Sequence, residues 1–200
     1  MAIFEYGQEE LDVLRSQDQA LGQAIDRIGM IRREVTPDLF TALIHSVVSQ
    51  QISTKAAVTV WGRLQGCCAL TPAVLAAAEP ERLQGCGMSG RKARYIIGIS
   101  QAVQEGRLPI DSLRQMTDSE IIRCLSALPG IGVWSAEMLL IFSLQRPDVV
   151  SWGDLAIRRG MMNLYGLTEL TKGQFEMYRQ RYSPYGSVAS LYLWALAAKG

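Results

Sequence analysis

Leu128-Pro129-Gly130-Ile131-Gly132 sits between two runs of helical period, and no other feature limits the fold as much. Residues 118–128 place Ile121, Leu125 and Leu128 on one face. Thr117 and Glu120 fit a capping box that starts this helix. Pro129 and Gly130 stop it, and 133–144 has no breaker, so a second helix is predicted from about Gly132. Gly130 and Gly132 are expected to permit positive φ and close backbone approach. Two helices joined by so short a turn make a helix-hairpin-helix over 118–144. The N–H groups of Gly130, Ile131 and Gly132 lie at the positive end of the second helix, where a phosphate is well placed. The same pattern also serves an ordinary tight turn between two helices of a helical protein.

The remaining pattern is helical throughout. Residues 9–29 carry Leu11, Leu14, Leu21, Ile25 and Ile28 at helical spacing. Thr36-Pro37 reads as a cap and first helical residue, opening a helix to about Ser49. Ser53 can cap 54–64, and Thr71-Pro72 and Glu79-Pro80 each open a short helix. Ser89 can cap 90–105, and helices are predicted over 155–164, 172–182 and 186–199. No β-alternation and no internal repeat is evident. The predicted class is all-α.

Composition sets outer bounds. With 200 residues at 48% apolar content, the chain can bury a core as one domain or two closely joined lobes. A net charge of +1 means that any binding of nucleic acid must come from local patches and backbone donors. No run approaches the ~20 apolar residues of a membrane span. The start, MAIFEYGQEEL, lacks a secretory pattern, so a cytoplasmic location is expected. Cys67, Cys68, Cys86 and Cys124 match neither a zinc pattern nor a disulfide framework and read as small buried residues or free thiols in a reducing compartment. His45 is the only histidine, which excludes multi-histidine metal sites; it is expected at a core or cleft edge.

Three further stretches carry chemistry. Asp154, after Gly153 and before Leu155-Ala156-Ile157, has the pattern of a helix N-cap. One carboxylate oxygen can cap while the other faces a ligand. Residues 87–93 combine a helix start with Arg91 and Lys92, which suits a phosphate or simply a solvated face. Arg158 and Arg159 either meet an anionic backbone or screen the surroundings of Asp154. Ser49-Gln50-Gln51-Ile52-Ser53 lies between two helices, where amides usually bond within the loop.

The LPGIG turn, Trp134 two residues beyond it, and Asp154 twenty residues after that tryptophan together resemble the helix-hairpin-helix (HhH-GPD) superfamily of DNA glycosylases. These are base-excision repair enzymes, and the likeness is nearest to the 3-methyladenine DNA glycosylase II branch. It runs from Ser49 to the region of Trp194. The resemblance implies two helical lobes with a DNA-binding cleft between them, within one domain over 1–200. The central lobe would be 37–145, and the second 1–36 with 146–200. An additional N-terminal β-domain, present in some bacterial members, is not expected.

The resemblance also implies roles. Double-stranded DNA with a damaged base would be the partner, with no cofactor, no membrane and a monomeric protein. Asp154 would be the catalytic carboxylate and Gln51 the wedge that fills the stack after a base is extruded. Trp134, Met138, Trp152 and Trp194 would form the base pocket, with the flipped base stacked on Trp194. Gly130, Ile131, Gly132, Arg91, Lys92 and Arg158 would meet the DNA backbone. The carbonyls of Ser126, Leu128 and Ile131 would hold a structural monovalent cation. Bifunctional relatives place a lysine where Trp134 stands, so a monofunctional enzyme is implied. Met138 replaces a tyrosine of the bacterial type, and Tyr182 and Tyr185 stand where some relatives have tryptophan; both departures leave the lesion range open. No cysteine follows Cys124, which excludes the iron–sulfur cluster of some relatives. A non-catalytic damage-binding module, a glycosylase for another base lesion, and a helical interaction protein without a DNA role are the alternatives.

Overall fold

The computed structural model describes residues 2–198. In chain order its elements are strand β1 (Ala2–Ile3), helices α1 (Gln8–Gln17) and α2 (Gln19–Ile28), strand β2 (Glu34–Val35), and helices α3 (Leu39–Ser49), α4 (Thr54–Cys67), α5 (Pro72–Ala76), α6 (Pro80–Gln84) and α7 (Gly90–Gln104). A 3₁₀ turn at Leu113–Gln115 follows, then α8 (Asp118–Ser126), α9 (Val133–Phe142), α10 (Leu155–Tyr165), α11 (Lys172–Gln180) and α12 (Gly186–Ala197). The all-α expectation holds, with one small addition. Ala2 pairs with Val35 and Ile3 with Glu34 in an antiparallel ribbon too short for alternation to be read.

Two other expectations are corrected. The N-terminal run is two helices, because Asp18 adopts an extended conformation and caps α2 through Leu21 N at 2.8 Å. An aspartate inside a helical pattern competes for nearby backbone donors, and here it wins. The helix predicted from Pro37 begins at Leu39 instead. Asp38, not Thr36, is its cap, accepting from Thr41 N at 2.7 Å. The caps at Ser53, Thr71, Ser89 and Thr117 stand where the pattern predicts them. Part of the last predicted helix, Lys199, lies outside the described residues.

The chain divides into two compact units: Thr36–Leu139, and the residues through Val35 together with those from Leu140 onward. In Thr36–Leu139, α7 packs against α3, α5 and α6, and α3 against α4. Leu43, Ile44, Leu64, Leu75, Leu83 and Ile96 are fully buried there.

In the other unit α12 is the central element, buried over nearly its whole length and packed against α10. A side chain at Gly160 would collide with the backbone of Leu193, so only glycine permits this approach. Asp18, 4% exposed, accepts from Tyr165 Oη at 2.7 Å and pairs with Arg181 at 3.4 Å. Tyr165 Oη also meets Tyr182 Oη at 2.8 Å. Burial first, then this proximity, pushes the Tyr165 hydroxyl well above the ordinary tyrosine value. Both phenols therefore serve as neutral hydrogen-bonding groups that pin α2 and α10 to the turn between α11 and α12.

Candidate functional site

In Thr36–Leu139 the chemistry gathers around the α8–α9 turn and the α3–α4 loop. Thr117 and Glu120 form the full capping box of α8. Ile131 N donates to Leu128 O at 3.1 Å, and Ala136 N donates to Gly132 O at 3.0 Å, opening α9. The donor of Ile131, predicted to meet a phosphate, is thus used inside the turn. It binds one of the carbonyls predicted to hold a cation. Gly132, Val133 and Trp134 precede the first intrahelical donor and are exposed.

The two glycines of the turn differ in their reasons. Gly130 has φ of 86°, and a Cβ there would overlap the Tyr95 ring. Gly132 does not take a positive φ, and no heavy atom lies within 4 Å of where its Cβ would sit. The joint expectation is therefore corrected: the fold needs glycine at 130, while at 132 glycine leaves open space above the helix start.

The α3–α4 loop is stapled to this turn. Gln50 Nε2 donates to Gly130 O at 2.7 Å. Lys92 Nζ donates to Val48 O at 2.8 Å and also to Gln50 O. The expectation for Lys92 changes accordingly, since two of its three donors satisfy carbonyls at the C-terminal end of α3. Gln51 remains exposed with φ of 54°, a left-handed conformation costing a non-glycine residue about 1 kcal/mol or more. A groove of about 430 Å³ runs beside it, bordered by Gln50, Gln51, Ser89, Arg91, Tyr95 and Gly130. The Gln50 amide, expected to bond within its own loop, bonds across to the α8–α9 turn instead, and Tyr95 carries no sequence signal, because carbonyl acceptors and glycine contacts leave no pattern. Trp134 is 48% exposed and so is not a core side chain, and Met138 on the same helix is half-buried. His45 is exposed, not core-facing, with its ring edge-on to Trp61 at 4.8 Å.

In the other unit, Asp154 is 8% exposed and caps α10. Its Oδ1 accepts from both Ala156 N and Ile157 N at 2.9 Å. The loop leading to it is fastened to α12. Ser187 Oγ donates to Arg146 O and accepts from Val149 N at 3.0 Å, and Ser190 Oγ donates to Val149 O at 2.9 Å. Asp148 accepts from Ser183 Oγ at 2.6 Å and from Gly186 N at 3.1 Å. Trp152 stands edge-on to Phe175 at 5.2 Å, with the Arg158 guanidinium 4.8 Å over its ring. Arg158 Nε is buried without a hydrogen-bond partner. Trp152 therefore anchors the loop, and Arg158 lies against it. Trp194 is half-buried and stacked on Phe142 at 5.3 Å.

Among the described residues no group of three or more His, Cys, Asp or Glu could hold a metal ion. No helix among them is long and apolar enough to cross a membrane. The model of the HhH-GPD superfamily of base excision DNA repair proteins matches residues 44–184, which takes in both the hairpin and Asp154.

The chain belongs to the HhH-GPD superfamily.

Relatives within the superfamily carry more specific names. The DNA-3-methyladenine glycosylase 1 of Schizosaccharomyces pombe is 34% identical over 161 residues, covering 78% of this chain and 71% of the relative. A DNA-3-methyladenine glycosidase crystal structure from Bacillus halodurans is similar with a TM-score of 0.88 at 36% identity, covering 98% of this chain and 93% of that one. The 3-methyladenine DNA glycosylase Mag1 of S. pombe, solved in complex with abasic DNA, gives a TM-score of 0.82 at 30% identity, covering 94% and 95%.

Proposed function

We propose that this protein is a monofunctional DNA glycosylase that extrudes alkylated purines of the 3-methyladenine and 7-methylguanine type from duplex DNA and hydrolyses the N-glycosidic bond, leaving an abasic site. The observation that carries the reading is the Asp154 carboxylate. It is buried and held in one orientation by two backbone N–H groups, in a member of a base excision repair superfamily. Cleaving the bond builds positive charge on the deoxyribose, and a preorganised anion in a low-dielectric setting stabilises that charge. The same carboxylate positions the attacking water or takes its proton. An alkylated purine is already cationic and leaves without a strong general acid, so no metal or cofactor is required by the chemistry.

The other roles follow from exposure and position. The start of α9 at Gly132 receives a backbone phosphate, assisted by Arg91 across the groove. Gln51, exposed at the tip of its stapled loop, enters the stack in place of the extruded base and offsets a few kcal/mol of lost stacking. By the family resemblance, base contacts are assigned to Trp134 and Met138 within Thr36–Leu139 and to Trp194 and Trp152 within the other unit, since an electron-poor base is attracted to an indole face. With Trp134 at the position of the Schiff-base lysine, the product strand is left intact.

The test is incubation with duplex DNA treated with a methylating agent, scored for free methylated base and then for strand breaks. Base release without nicking is expected from the wild type and is lost in Asp154→Asn. Binding to abasic duplex without base release would replace this reading with a damage-binding module. Release only from oxidised or mismatched duplexes would move the substrate class.

A further inference from the structure

Three of the four cysteines gather at one corner of Thr36–Leu139, at the opposite end of α4 from the Gln51 loop. Cys67 is the last residue of α4, Cys68 its C-cap, and Cys86 follows α6. Arg82, on α6, reaches back over this corner. Its Nε donates to Cys67 Sγ at 3.4 Å and its Nη2 to Cys67 O at 2.6 Å. The guanidinium is therefore fixed by a second, shorter bond while it faces the sulfur. Cys86 Sγ lies against Arg82 O at 3.8 Å. Cys67 is partly exposed, Cys86 is buried, and all four cysteines are free.

We propose that Cys67 is a thiol modification site, activated by Arg82, that forms a mixed disulfide with small disulfides of the glutathione class. The C-terminal end of a helix carries about half a negative charge, which disfavours a thiolate. A full positive charge hydrogen-bonded to the sulfur outweighs it, and the Cys67 thiol is accordingly drawn below its ordinary value, first by the bond from Arg82. The neighbouring thiols go the other way. Burial and then the Cys67 charge raise Cys68, while burial and then a hydrogen bond with Cys67 push Cys86 up to about 11. They act as proton-bearing neighbours of the Cys67 sulfur. They are poor attackers of an adduct, so the mixed disulfide persists.

The exchange balances simply. The Cys67 thiolate attacks one sulfur of glutathione disulfide, the Cys67–glutathione bond forms as the original S–S bond breaks, and the released glutathione thiolate takes a proton from solvent. The 14 residues of α4 span about 21 Å, so the adduct sits far from the Gln51 loop and its detection does not depend on the glycosylase reading.

The reduced protein is treated with glutathione disulfide at pH 7 and digested for mass spectrometry. Cys124, also partly exposed, is the internal reference. Cys67 is expected to carry the adduct about tenfold faster than Cys124, because only the thiolate attacks. Arg82→Gln is expected to bring Cys67 down to the Cys124 rate at pH 7, with the difference from wild type closing above about pH 9.5, where any exposed thiol ionises. Equal rates for Cys67 and Cys124 in the wild-type protein would overturn the proposal without recourse to a variant. So would an Arg82→Gln protein that is folded and reacts at the wild-type rate.

Discussion

Asp154 Oδ1 and the backbone N–H of Ile157 are 2.9 Å apart, so the side chain proposed for catalysis is also the cap of α10. The two roles can be separated by substitution. Asparagine caps a helix about as well as aspartate, whereas alanine loses about 1 kcal/mol at a cap. Asp154→Asn is expected to keep the wild-type melting temperature and lose about 10²–10³ in kcat, the usual effect of removing one electrostatic stabiliser of a transition state. Asp154→Ala should lose activity and melt lower. Base release and thermal melts on the two variants measure this, and an active Asp154→Asn protein would leave the carboxylate with capping alone.

The contrast between Gly130 and Gly132 gives a second prediction. Alanine at 130 meets both a positive φ and the Tyr95 ring, and should destabilise the protein by about 1–3 kcal/mol. Alanine at 132 enters open space, so denaturant midpoints should barely move. Its methyl group would stand where a phosphate approaches α9, and affinity for abasic duplex should fall about tenfold or more, an effect of about 1.4 kcal/mol. Equal affinity of Gly132→Ala and wild type would remove the hairpin from the DNA interface.

Helix α8 supplies a pH-dependent term. The Glu120 carboxylate is held below its ordinary value of 4.5, first by the Thr117 hydroxyl and then by the Thr117 N–H. Because the folded-state value is the lower one, the stabilisation is complete above pH 4.5 and fades as pH falls through the folded-state value. Glu120→Gln retains a capping box without a titrating group. The stability difference between wild type and this variant should therefore be constant at neutral pH and shrink in acid, as measured by denaturant melts across that range. A difference that grows in acid would contradict the assignment.

What the sequence makes legible follows local chemistry. Ser53, Thr71, Ser89, Thr117 and Asp154 all cap helices where their spacing predicts, because a cap is a contact between near neighbours. Asp18 is the instructive failure. Its pattern reads as one position in a continuous helix, yet its partners Tyr165 and Arg181 lie far along the chain, and their hydrogen bonds make a break in the helix worthwhile. Lys92 fails for a similar reason. A cation beside a helix start suggests an anion, but the acceptors that claim it are the carbonyls of Val48 and Gln50, which carry no side-chain signature. Trp134 shows the limit of periodicity: an apolar helix predicts burial equally well on every face, yet this indole is exposed.

Ser187 connects the fold to the proposed chemistry. Its hydroxyl donates to Arg146 O and accepts from Val149 N at 3.0 Å, and its side chain is fully buried. Nothing in the sequence distinguishes it from a small residue of a packed helix. Ser187→Ala would keep the volume nearly unchanged and remove the hydrogen bonds to Arg146 O and from Val149 N, at a cost of about 1–3 kcal/mol. The loop from Arg146 to Ser151 would then lose two of the hydrogen bonds that fasten it to α12, and Asp154, only a few residues on, would lose part of its fixed position. A positioning residue of this kind should lower kcat for base release while leaving affinity for abasic duplex near the wild-type value, and Ser187→Thr, which keeps the hydroxyl, should recover part of the rate. Measuring both quantities separates this from a merely structural role, in which the loss of activity would follow the unfolded fraction and vanish when the assay is run well below the melting temperature.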